Sequence, residues 1–288
     1  MKTSALSTVE QQLSHLILKQ QLPKSYKEDI EKYFIPIVKA INQLSIQQDF
    51  SIIGVNGAQG SGKSTCCLFL KTLLEIESLD TKNKHSVVII SIDDFYFTKK
   101  EREQLAQTIH PLFKTRGVPG THDINLALKT FADLKNMTEG EHLLIPVFDK
   151  STDDRKPKHQ WTKITQRPSI ILFEGWCIGA TALAPDSLIK PINDLEQYQD
   201  AQQLWRNNWN QQLNNKYQQL FSLINWLLML KIPDFEMVYQ WRMLQEQKLQ
   251  EQQPYQQNKQ SLALLNQQQL QQFIQHYQRL TEHCLNTL

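Results

Sequence analysis

The sequence of 288 residues is poor in cysteine, with Cys66, Cys67, Cys177 and Cys284 alone and no Cys-x-x-Cys pair among them. That spacing favours thiols kept reduced inside a cell over a disulfide scaffold or a zinc site. His276, His283 and Cys284 can share one helix face, but a metal centre there would need further ligands. Charge of one sign is missing too: 31 Lys and Arg against 29 Asp and Glu leave a formal net charge of +2. No basic field points to nucleic acid, and no acidic tail suggests a solvating role. No apolar run reaches the roughly 18 residues of a membrane helix. The opening "MKTSALSTVEQQLSHLILKQ" is too polar for a secretory signal. The expectation is a cytoplasmic protein with neither nucleic-acid nor membrane partners. Internal repeats and Pro/Ser-rich linkers are absent as well.

Forty per cent hydrophobic and 21% charged residues is ordinary globular composition, and the length allows one large α/β domain or two small ones. In the first fifty residues Ile30, Tyr33, Phe34, Ile37, Val38, Ile41 and Leu44 recur at helical spacing, with Pro36 expected to kink or interrupt the helix. From Phe50 the pattern changes. "FSIIGVNG", "SVVIISID", "LLIPVFD" and "SIILFEGW" are short apolar runs of the kind buried in a parallel sheet, and "INWLLMLKIP" is a fifth candidate of ambiguous type. Strands separated by helical segments predict an α/β fold with a mainly parallel, doubly wound sheet. Ligands are then expected beyond the carboxyl ends of the strands. An N-terminal helical extension is expected over 1–48 and one domain over 49–288. The last third is glutamine-rich, yet Leu270, Phe273, Ile274, Tyr277, Leu280 and Cys284 keep a helical stripe that a disordered tail would not need.

"GAQGSGKS", residues 57–64, fits G-x-x-x-x-G-K-[ST] at every fixed position, between an apolar strand and a helical segment. In such a P-loop the backbone of Gly57, Ala58, Gln59, Gly60, Ser61 and Gly62 curls around phosphate oxygens at the positive end of the helix dipole. Lys63 is placed to reach the β- and γ-phosphates and Ser64 to ligate Mg²⁺, with Thr65 a second hydroxyl nearby. A nucleoside triphosphate is the implied ligand. The Asn-Lys-x-Asp motif of GTPases and the Leu-Ser-Gly-Gly signature of ABC-type ATPases are both missing. Small-molecule kinases are the main class left.

Carboxylates end three of the apolar runs. Asp93 and Asp94 close "SIDDFY", where phosphoryl transfer to an alcohol needs a carboxylate to orient the hydroxyl and accept its proton. Neighbouring strand residues point to opposite sides, so the two aspartates are expected to differ in role. Glu174 in "IILFEGW" has the Walker B placement of a Mg²⁺ ligand. "PVFDKSTDDR" carries Asp149, Lys150 and Arg155, with Asp153 and Asp154 read as solvated loop charges. One further loop, "RGVPGTHD" (116–123), holds Arg116, His122 and Asp123 on a bend stiffened by Gly117, Pro119 and Gly120.

Taken in order, the P-loop, "SIDDFY", "RGVPGTHD", "PVFDKS" and "FEGW" resemble the motifs of D-glycerate 3-kinases and their relatives. These belong to the wider group of phosphoribulokinase, uridine kinase and pantothenate kinase. The resemblance continues through "PDFEMVYQWRMLQEQ" and "FIQHYQRLTEHCL", covering most of the chain from about Phe50. It implies Mg·ATP as donor, a small hydroxy acid as acceptor, and Asp93 as the general base and an additional metal neighbour. It implies a lid around 234–256 whose Arg242 neutralises charge on the transferring group, the alternative for Arg242 being an ion pair with Glu246. If the acceptor is D-glycerate, Arg116 is the expected carboxylate clamp and Arg155 a second one. His122, Asp123, Tyr96 and Asp149 complete the expected acceptor contacts. A kinase for a nucleoside, pantothenate or a sugar acid, and a nucleotide-binding regulator without an acceptor, remain the alternatives.

Overall fold

A computed structural model describes residues 2–45, 48–78, 85–252 and 267–288. The chain opens with helices α1 (Lys2–Lys19), α2 (Tyr26–Asp29) and α3 (Ile35–Ser45). Pro36, near the start of α3, has no N–H to give to a carbonyl one turn back. The chain accommodates this by winding Ile30–Phe34 as a π-helical turn, with the Ile35 N–H donating to the Ile30 carbonyl. The expected interruption is thus a change of winding, and the helix continues through it.

Strand β1 (Ser51–Gly57) leads through the glycine-rich loop into α4 (Lys63–Glu77). After β2 (Val87–Ser91) come α5 (Lys99–Thr108) and α6 (Ile124–Asn136). Four short strands follow: β3 (Leu143–Ile145), β4 (Phe148–Asp149), β5 (Asp154–Arg155) and β6 (Thr162–Ile164). Then β7 (Ile170–Gly175) precedes α7 (Asp194–Gln199), α8 (Leu204–Gln212) and α9 (Gln218–Phe221). The remainder is β8 (Trp226–Leu230), α10 (Glu236–Gln252) and α11 (Gln267–Thr287).

The central sheet has four parallel strands in the order β2-β7-β1-β8. Its two middle strands are apolar on both faces, as a covered parallel sheet requires. Ile170 and Leu172 of β7 join Ile53, Val55, Phe69, Leu70 and Val38 in the layer made by α1, α3 and α4. The alternate residues Ile171 and Phe173 join Ile52, Ile90, Phe131 and Ile178 on the other face. The ambiguous run from Ile224 is indeed a strand, β8, on the edge beside β1. "LLIPVFD" corrects the expectation. It does not enter the parallel sheet: Pro146 splits it into β3, paired antiparallel with β6, and β4, paired antiparallel with β5.

Residues 253–266 of the glutamine-rich third lie outside the described residues; the rest of it is folded and anchored by groups that composition hides. Tyr277, Leu280 and Cys284 of α11 are buried in the main core. Arg279 pairs with Glu196 at 2.5 Å and Arg206 with Asp200 at 2.9 Å, all four side chains almost fully buried. Each guanidinium also donates to backbone carbonyls, so the charges are paired and their remaining donors used. Ile274 and Leu270 of α11 meet Val238 of α10, Ile232 and Ala58, placing these two helices over the phosphate loop.

Candidate active site

Because the four strands are parallel, their carboxyl ends converge, and each end delivers part of one cleft. β1 delivers the phosphate loop, β2 delivers Asp93 and Tyr96, β7 carries Glu174 next to its last residue, and β8 leads to Trp241 and Arg242 on α10. The cleft is about 620 Å³ and is lined by Gln59, Gly60, Gly62, Lys63, Ser64, Thr65, Asp93, Tyr96, Arg116, Lys150, Glu174 and Arg242, with aromatic walls from Trp176, Trp241, Phe273 and Tyr277. A larger groove of about 920 Å³ opens around Phe50, Phe131 and Leu223, and none of the phosphate-loop residues lines it.

The loop bends through Gly60 and Gly62, both at positive φ (82° and 88°), before α4 begins at Lys63. At Gly60 a side chain is doubly excluded, since a Cβ would lie 2.9 Å from the Trp241 Cβ. Lys63 Nζ donates to the Ala58 carbonyl at 2.9 Å, and burial pushes its pKa down against the pull of Glu174 and Asp93. Ser64 Oγ–H donates to Glu174 Oε1 at 3.1 Å. Glu174 is 7% exposed, and burial raises its pKa, with the Lys63 ammonium opposing. A hydroxyl beside a carboxylate is a donor set that suits a hard cation such as Mg²⁺, completed by phosphate oxygens. Among the described residues no cluster of three His, Cys, Asp or Glu could hold a metal without such help.

Asp93 lies on a short 3₁₀ turn (Ile92–Phe95) at the end of β2, whose start is capped by the Ser91 hydroxyl accepting the Asp93 N–H. Its Oδ1 accepts the Tyr96 hydroxyl at 2.8 Å and its Oδ2 faces Lys150 Nζ at 2.7 Å. Burial alone would raise the Asp93 pKa; the Lys150 ammonium and the hydrogen bonds from Lys150 and Tyr96 outweigh it and hold the carboxyl below its ordinary range. Asp94 makes different contacts from Asp93, and the 3₁₀ turn rather than strand alternation separates the two. Its Oδ1 accepts the Phe148 N–H at 3.1 Å, and burial lifts its pKa to about 6.

The loop 116–123 departs from its expected use. It runs antiparallel to residues 95–97, with Phe97 N–H donating to Thr121 O and Asp123 N–H to Phe95 O. His122 is 2% exposed, stacks on the Tyr96 ring at 4.4 Å between centroids, and meets the Tyr217 hydroxyl through Nδ1 at 2.6 Å. Burial pushes its pKa down to about 3, so it is neutral. Asp123 caps α6 by accepting the Leu126 N–H at 3.0 Å. Arg155 donates to the Tyr96 carbonyl, at 2.8 Å from Nη2. Asp149 accepts from Ser151 and does not line the cleft. These four side chains hold the walls; of Arg116, His122 and Asp123 only Arg116 lines the cleft.

Arg116 itself pairs with Asp153 and lies 5.5 Å over the Phe148 ring. Asp153 is therefore no idle surface charge: it also pairs at 2.9 Å with Arg102, whose side chain is 1% exposed and donates to the carbonyls of Phe97, Lys114 and Asp153. Asp154 likewise accepts the Lys99 N–H, at 3.1 Å. Arg102 carries no motif signal, being one charge among several in "KKEREQL". Phe273 and Tyr277 were legible as an apolar stripe, but not as cleft walls. The expected lid, 234–256, is described as far as residue 252, and the Glu246 side chain lies outside the described residues.

Residues 52–214, more than half of the chain, match the Phosphoribulokinase / Uridine kinase family. The chain is 34% identical over 212 residues to an uncharacterized kinase, mug58, of Schizosaccharomyces pombe, covering 69% of this chain and 70% of that one. It is 31% identical over 209 residues to the chloroplastic D-glycerate 3-kinase of Arabidopsis thaliana, covering 68% of this chain but 41% of that enzyme. The solved D-glycerate 3-kinase of Cryptococcus neoformans var. grubii shares the fold, with a TM-score of 0.64 at 22% identity over 86% of this chain and 88% of that one. No helix among the described residues is long and apolar enough to cross a membrane. With the phosphate loop, the strand-end carboxylates and these matches in agreement, the chain belongs to the Phosphoribulokinase / Uridine kinase family of P-loop small-molecule kinases.

Proposed function

We propose that the protein transfers the γ-phosphoryl group of ATP to a hydroxyl of D-glycerate, giving 3-phosphoglycerate and ADP. The observation that carries this reading is the position of Asp93, a carboxylate fixed by Tyr96 and Lys150 on the same cleft as Lys63. A switch protein without an acceptor has no use for such a group. The choice of D-glycerate is supported by the 31% identical relative of that activity.

In this reading the backbone of 57–62 cradles the phosphates and Lys63 turns from the Ala58 carbonyl to the β- and γ-phosphate oxygens. Ser64 and Glu174 would hold Mg²⁺, which when bound supplies positive charge to offset that of the phosphates. Asp93 keeps both oxygens for Tyr96, Lys150 and the acceptor, so it serves as base rather than metal ligand. It orients the hydroxyl and takes its proton as the oxygen attacks phosphorus in line. Arg242, on α10 at the edge of the cleft, stabilises the charge of the transferring group in a lid role over 234–256.

The test is ADP release from Mg·ATP with D-glycerate, L-glycerate, uridine, pantothenate or no acceptor. Release stimulated by D-glycerate alone, with phosphate on the 3-hydroxyl, is the expected result. Stimulation by another compound would keep the kinase and discard the acceptor; nucleotide binding with no stimulation by any alcohol would overturn the reading.

A further inference from the structure

Lys150 is a lysine on the turn between β4 and β5, where one of its donors helps to fix Asp93. The turn beneath it is closed by hydrogen bonds. Phe148 N–H is bonded to Asp94, Lys156 N–H donates to the Val147 carbonyl at 2.8 Å, and Asp149 accepts both the N–H and the hydroxyl of Ser151. The Lys150 side chain, in contrast, is 65% exposed while its Nζ stands 2.7 Å from Asp93 Oδ2. An ammonium has three donors in a tetrahedral spread, and one carboxylate oxygen takes one direction. The others remain for a molecule in the cleft. Of the neighbouring cations at this end, Arg155 is committed to the Tyr96 carbonyl, and Arg116 is drawn through Nη1 toward Asp153 and away from Asp93. An alcohol that offers its hydroxyl to Asp93 therefore comes within a few bonds of Lys150.

Resting on the hydroxy-acid reading above, we infer that Lys150 is the side chain that selects an anionic acceptor, pairing with its carboxylate while Asp93 engages the hydroxyl. The charge around the cleft agrees: Lys63, Arg116, Lys150 and Arg242 line it against Asp93 and Glu174. Once Lys63 and Mg²⁺ are engaged with phosphates, a compact cation beside the base is what distinguishes a short hydroxy acid from a neutral alcohol. Lysine suits a role in which the partner arrives with water to shed, since its flexible stem can follow the ligand.

The experiment compares wild type, Lys150→Gln and Lys150→Arg with D-glycerate and its uncharged amide at saturating Mg·ATP. A hydrogen bond to a charged group leads us to expect the kcat/KM ratio, acid over amide, to fall about 10- to 100-fold in Lys150→Gln. The loss should lie in the KM for the acid, and Lys150→Arg should restore most of it. The amide serves as internal control, because any disturbance of Asp93 acts on both acceptors. Equal losses on acid and amide would overturn the inference and leave Lys150 as a positioning residue for Asp93. A raised KM for ATP with an unchanged ratio would also overturn it, assigning Lys150 to the nucleotide. If wild type prefers another anionic acceptor, a selective loss on that anion keeps Lys150 and discards glycerate. Wild type that phosphorylates no anionic acceptor overturns both.

Discussion

The phosphate loop and the loop at 116–123 border one cleft and use their residues in opposite ways. The first bends through glycines at positive φ, and in the proposed reading it meets the nucleotide mainly through backbone N–H groups, with Lys63 and Ser64 adding their side chains. The second uses its backbone to pair with residues 95–97 and its side chains to hold other walls. His122 stacks on Tyr96, Asp123 caps a helix, and Arg116 ties into the Asp153–Arg102 pair. A motif read by backbone geometry is nearly the same in every protein that has it. A loop whose polar groups can face either ligand or neighbour is not decided until the neighbours are in place.

The comparison is broken most strongly by pairing one variant from each side. Asp93→Asn should lower turnover about a thousandfold, within the range of general-base losses, and leave nucleotide binding nearly unchanged. Lys63→Ala should lose nucleotide affinity and turnover together. Equal loss of nucleotide binding in Asp93→Asn, read by calorimetry with Mg·ATP, would remove the base assignment.

Next in size is Arg102→Met. It leaves three carbonyls and Asp153 short of a donor and should destabilise the fold by about 3 kcal/mol in urea unfolding. Unchanged stability would mean that Arg102 does not brace the acceptor wall. Gly117→Ala tests the bend itself: φ is 137°, and a Cβ would lie 2.4 Å from Tyr277 Cε1. A loss of about 2 kcal/mol is expected, with a raised acceptor KM because Tyr277 also bonds the Arg116 carbonyl. The same change costing nothing would show that α11 can retreat freely from the cleft.

The smallest effect sharpens the contrast by pH. His122 is held neutral, its pKa pushed down by burial to about 3, whereas in the unfolded chain it titrates near 6.5. Its folded-state pKa is depressed, so the unfolded chain binds the extra proton between those values. The associated stability is full above about pH 6.5 and is lost as pH falls toward 3. The slope is about 1.4 kcal/mol per pH unit for this one proton. His122→Gln should flatten the wild-type stability curve between pH 6 and 4.5 by that slope. A parallel curve would mean that His122 takes up its proton without unfolding. His276, pushed by burial to about 4, contributes in the same direction and is common to both proteins.

Apolar runs of four to six residues, bounded by turns, were enough to indicate the parallel sheet. They failed at "LLIPVFD", where Pro146 removes a ladder donor and the run is spent on two separate ribbons. The helical stripe in α11 was legible because burial requires period 3.6. Its role as a cleft wall was not, since that depends on which strand end it crosses. Lys150 was visible only as a charge beside Asp149; its nearness to Asp93 joins residues far apart in the chain.

By itself, then, the sequence determined the phosphate loop, the carboxylates at the ends of β2 and β7 and the alternation of strand and helix. These are local: each follows from the spacing of a few neighbouring residues and the backbone they allow. Only the tertiary structure decided which polar side chains face the cleft and which hold its walls. His122, Asp123 and Arg155 could each have served a substrate by their chemistry. Burial, charge pairing and the hydrogen bonds of distant segments claimed them first, because a buried polar group must find a partner wherever the fold provides one.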